Sequence, residues 1–74
     1  MALVTKIKEG FKNRHTIHKT TECSYFIVYD DRKKYLQLET TGSEDRQIRG
    51  KVSQSIQFSP EALKQLKELL AKEF

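Results

Sequence analysis

Three scarcities limit what this 74-residue chain can be: one cysteine, one proline and three glycines. A lone Cys23 rules out an internal disulfide, so no covalent staple supports the small core that such a chain can build. No apolar run is long enough to cross a bilayer, and no apolar segment resembling a leader opens the chain. These features give the expectation of a cytoplasmic, unprocessed protein, with Cys23 as a small half-buried hydrophobe. Few glycines and prolines, 36% apolar and 32% charged residues describe one globular domain over 1–74, not a disordered tail.

The net charge of +4 is unevenly spread. Within the first 20 residues Lys6, Lys8, Lys12, Arg14 and Lys19 face only Glu9, whereas the remaining bases and acids cancel. The excess positive charge therefore sits at the N-terminus, where it could meet phosphates or another acidic partner.

The clearest local signal lies near the other end. Ser59, Pro60 and Glu61 read as an N-cap, a first-turn proline and a first-turn acid. Beyond them Ala62, Leu63, Leu66, Leu69, Leu70 and Phe74 recur at helical spacing, which predicts an amphipathic helix whose stripe packs on a sheet. Lys51 to Phe58 alternates as a half-buried strand. Gln54 falls on its apolar side, leaving a rim position, an internal hydrogen bond or a bulge open as explanations. Ser24 to Tyr29 and Lys34 to Thr40 predict a hairpin across the spacer Asp30 to Lys33. Ala2 to Lys8 fits a further strand with Leu3 and Ile7 inward, and residues 14–19 either add a short strand or extend the central one. The expected fold is α+β, of order β-β-β-β-α. A curved antiparallel sheet of three to four strands is covered on one face by a single C-terminal helix.

Alternation then assigns faces. Phe26, Val28, Leu36, Leu38, Val52, Ile56 and Phe58 are expected beneath the helix, in a core of about a dozen side chains worth roughly 1.5 to 3 kcal/mol each. Tyr25, Ile27, Tyr29, Tyr35, Gln37, Glu39, Ser53, Ser55 and Gln57 go to the uncovered face. Three tyrosines on one open sheet, edged by cations, suit single-stranded nucleic acid, which needs rings for bases and positive charge for phosphates. The candidate contacts are Lys6, Lys8, Tyr25, Tyr29, Tyr35, Arg46, Arg49 and Lys51. Arg46, Arg49 and Lys51 cluster at the end of the long segment Thr41 to Gly50. A homodimer or another protein interface would use the same face without nucleic acid.

The run from Lys51 through Ser59-Pro60-Glu61 to Leu66 resembles the last strand and helix entry of the transcriptional coactivator family called positive cofactor four. It is also similar to the repeat of the Pur-alpha proteins. That resemblance covers about the last 50 residues and implies a curved four-stranded sheet, dimerisation, and single-stranded DNA or RNA held against the sheet. Those families carry more basic and aromatic residues on the binding strands than Lys51 to Phe58 does. The run Leu36 to Arg46 resembles a segment of small uncharacterised bacterial proteins, which implies no activity.

Catalysis and metal binding are not expected. His15, His18, Glu22 and Cys23 lack the paired spacings of a zinc site. The acid pairs Asp30 with Asp31 and Glu44 with Asp45 read as turn chemistry, and Ser43 has no base at a diagnostic spacing. No cofactor, small-molecule substrate or membrane partner is implied.

Overall fold

A computed structural model describes residues 1–41 and 52–74. Four strands, β1 (Ala2–Val4), β2 (Cys23–Asp30), β3 (Lys33–Thr40) and β4 (Gln54–Phe58), precede one helix, α1 (Pro60–Glu73). The strands form one sheet in the order β1-β4-β3-β2, so the fold is α+β with the expected order of elements. The sheet is mixed, not wholly antiparallel, because β1 runs parallel to β4. Residues 5–22 hold no strand and carry the chain from β1 at one edge to β2 at the other, which lets β1 lie beside β4 in the same direction.

The hairpin between β2 and β3 turns on two residues, Asp31 and Arg32, with φ of 48° and 65°. Both residues are left-handed, as the tight turns that follow the natural twist of paired strands require. This turn pairs Tyr25 with Leu38, Ile27 with Leu36 and Val28 with Tyr35. Directly paired residues share a face, so β2 is offset by one residue from the expected arrangement. Tyr25, Ile27 and Tyr29 lie on the side of Leu36, Leu38, Ile56 and Phe58, while Phe26 and Val28 lie with Tyr35, Gln37, Glu39, Ser55 and Gln57. Every position from Tyr25 to Tyr29 is apolar or aromatic, so the strand's own composition supplies no phase. The turn length supplies it instead.

Smaller corrections follow from the same pairings. β4 begins at Gln54 and excludes Val52 and Ser53; Gln54 is exposed at the strand's first position, which selects the rim explanation. β1 stops at Val4, and Leu3, opposite Gln57, is 48% exposed while Val4 is half-buried. Ile7 lies beyond β1, half-buried, and Cys23 is exposed at the start of β2.

The helix starts as its sequence predicts. The Ser59 hydroxyl accepts from the Ala62 amide at 3.2 Å and its carbonyl accepts from Leu63 at 2.8 Å. Helix α1 then lies against β3 and β4. Among the described residues only Ser59 and Ala62 are buried. Leu63 and Leu66 are half-buried, whereas Leu69, Leu70 and Phe74 remain exposed, so only the first half of the apolar stripe is engaged. Among the described residues the dozen-residue core does not form, because one 14-residue helix packs mainly on β3 and β4. The chain is a slab of 38 × 37 × 19 Å with a Cα radius of gyration of 14.5 Å. A compact chain of this length would measure about 11 Å.

Candidate nucleic-acid interface

The offset of β2 disperses the three tyrosines. Tyr25 and Tyr29 stay together on one face, about 13 Å apart along the strand, and are 72% and 67% exposed. Tyr35 is half-buried on the opposite face. That opposite face is occupied by a polar ladder, in which Gln57 Nε2 donates to Gln37 Oε1 at 2.8 Å and Gln37 Nε2 donates to the Glu39 carboxylate. A carboxylate on this face makes it a poor surface for phosphates, and the three-ring platform does not exist.

The expected cations are also separated from the rings. Lys6 and Lys8 are exposed just past β1, the strand at the opposite edge of the sheet from β2. Arg46, Arg49 and Lys51 lie outside the described residues, as does most of the segment Thr41 to Gly50. Among the described residues no three His, Cys, Asp or Glu side chains gather as a metal site would require, His15, His18, Glu22 and Cys23 included. No described helix is long and apolar enough to cross a membrane.

A different basic cluster is present, and β2, β3 and α1 create it together. Opposite Tyr29, on the same face, stands Lys34, whose ammonium sits 5.7 Å from the ring centroid. A cation at that distance is attracted to the face of the ring. Lys34 continues into an open groove of about 490 Å³ between the hairpin turn and the first turns of α1. Its lining comprises Arg32, Lys33, Lys34, Lys64 and Lys67 together with Pro60 and Leu63. The five cations are exposed, and the two apolar residues are half-buried between them.

Such a cluster follows from the turn and the cap. The two-residue turn brings Arg32, Lys33 and Lys34 to one end of the sheet, and the Ser59 cap starts α1 at that same end, directly after the β4 residue that pairs with Leu36. Lys64 and Lys67, three apart, then occupy one side of the helix. The nearby acids are Asp30, Asp31 and Glu61, none of which lines the groove. The Glu61 carboxyl is held below the usual glutamate range, first by its own backbone amide, then by the Ser59 hydroxyl and by Lys33, against a small opposing effect of burial. Lys64 and Lys67 follow Arg32, Lys33 and Lys34 by thirty or more residues in the chain. Only the helix's position brings the two sets together.

Comparison with family models, with curated proteins and with solved structures returns no match.

Proposed function

We propose that this chain is a non-catalytic, cytoplasmic module that binds single-stranded nucleic acid, with its phosphates in the groove between the hairpin turn and α1. The observation that carries the proposal is five cations and, among the described residues, no lining acid around one groove, continuous through Lys34 with the exposed ring of Tyr29. Phosphates supply the negative charge that such a groove attracts, and Tyr29 and Tyr25 present faces on which unpaired bases stack. A duplex keeps its bases stacked inside and gains nothing from the rings. The exposed basic segment from Lys6 to Lys19 adds a second, unspecific attraction for the same polymer.

The test is a titration of labelled oligo(dT) and of a duplex at several salt concentrations. The expected result is tighter binding to the single strand, weakening as salt rises. Lys64→Glu with Lys67→Glu should lower the slope of log affinity against log salt by about one unit per lost phosphate contact. Tyr29→Ala should weaken the single strand selectively. Absence of binding at low salt, or binding indifferent to the charge reversals, would overturn the proposal. A second reading, a protein-interaction module, is favoured by a separate observation, the amount of surface the chain leaves uncovered.

A further inference from the structure

The chain exposes 7316 Å². A compact monomer of 8.7 kDa would expose roughly 4,700 Å². The excess, about 2,600 Å², is several times the roughly 800 Å² that a standard interface takes from each partner. Part of the uncovered apolar surface is on β2, where Tyr25, Phe26, Ile27 and Tyr29 are 72%, 46%, 52% and 67% exposed, on both faces of the strand.

β2 is also the outermost strand of the sheet. The turn at Asp31 and Arg32 makes Asp30 and Lys33 a hydrogen-bonded pair, and such pairs alternate along the hairpin. The amides and carbonyls of Ser24, Phe26 and Val28 are therefore turned to β3, while those of Tyr25, Ile27 and Tyr29 point to the open edge. Isolated sheet edges are normally blunted by lysine, proline, a bulge or short length. This one has eight residues, no proline, no lysine and an uninterrupted ladder to its neighbour.

We infer that β2 pairs with β2 of a second copy of this chain, antiparallel about a two-fold axis at Ile27, joining two sheets into one of eight strands. The strand is complementary to itself in this arrangement. Tyr25 faces Tyr29 of the other copy, Phe26 faces its Val28, and the outward amides at Tyr25, Ile27 and Tyr29 meet outward carbonyls. The single charge of the strand, Asp30, falls opposite Ser24 and about 20 Å from its own counterpart. Parallel pairing in register would set the two Asp30 carboxylates side by side. Edge pairing adds no layer over either face of the sheet, so the tyrosines of both copies come together at the centre of the joined sheet.

Light scattering tests the stoichiometry and cross-linking tests the edge. The protein should show twice its 8.7 kDa mass, falling towards a single chain on dilution. In a Cys23→Ser background, Ile27→Cys should form a disulfide dimer on mild oxidation, since a hydrogen-bonded antiparallel pair sets Cα atoms about 5.5 Å apart. Leu3→Cys on β1 and Leu70→Cys on the exposed half of α1 should not. Ile27→Lys should shift the mass to one chain with the helical circular dichroism retained. If that variant unfolds, the cross-linking still decides. A single-chain mass even at millimolar concentration overturns the inference, and so does a two-chain mass whose disulfide forms at Leu3 or Leu70 instead of Ile27. Neither result touches the groove, whose salt-dependent titration stands or falls separately.

Discussion

The two edges of this sheet are finished in different ways. At the β1 edge three residues of strand are enough, because the chain continues into contacts made elsewhere. Ser59 donates its amide to the Val4 carbonyl at 3.0 Å, and the Gln65 side chain acts as a strand partner for Ile7. Its Oε1 accepts from the Ile7 amide at 2.7 Å and its Nε2 donates to the Ile7 carbonyl at 3.1 Å. Both of the described buried residues, Ser59 and Ala62, belong to this side. At the β2 edge eight residues of strand hang from a single neighbour, with rings exposed on both faces. The difference teaches where each property of the molecule resides. Packing is concentrated where sheet, cap and helix meet, whereas the β2 edge leaves its aromatic rings uncovered.

The junction of sheet, cap and helix is tightest at Ala62. With no exposed surface, it has no room for a longer side chain, so Ala62→Leu should cost about 1 to 3 kcal/mol in urea unfolding. A neutral outcome would mean that the junction is not the tight part of the fold. Gln65→Ala removes both bonds to the Ile7 backbone, and at about 1 kcal/mol each the loss should approach 2 kcal/mol. The same variant should speed proteolysis of the segment after β1. Ser59→Ala should cost about 1 kcal/mol and Ser59→Gly less, measured by thermal unfolding, because the cap satisfies one amide of the first turn.

On the hairpin side the expected sign reverses. Arg32 has a positive φ that an L-residue adopts at a cost, so Arg32→Gly should raise stability by about 0.5 to 1 kcal/mol although the groove loses a cation. The smallest effect is a dependence on pH. Because Glu61 is held below its ordinary range when folded, it contributes stability above that range, lost as pH falls through the folded value. Glu61→Gln should therefore lower the melting temperature at neutral pH and match the parent chain in strong acid.

How much of this could be read beforehand depended on whether neighbouring residues in the chain settled the question. The helix start was legible from Ser59, Pro60 and Glu61, since capping is a contact within four residues. The strands β2 and β3 were legible from their β-rich runs, with ends shifted by a residue. The face on which each tyrosine lies was not, because an eight-residue strand apolar from Tyr25 to Tyr29 looks the same in either phase. The groove was illegible for a related reason: Lys34 and Lys64 become neighbours only when α1 settles against β3 and β4.

What the order of residues determined by itself was the class of fold, four strands followed by one helix. It also determined the capped helix start and an excess of positive charge near the N-terminus, all consequences of local propensity and composition. What only the tertiary structure decided was the parallel pairing of β1, the parity of the hairpin and the meeting of five cations at one end of the sheet. Each of these depends on the relative placement of segments distant in sequence, or on a two-residue turn whose length no propensity specifies. A shift of one residue in that turn moves every side chain of β2 to the other face.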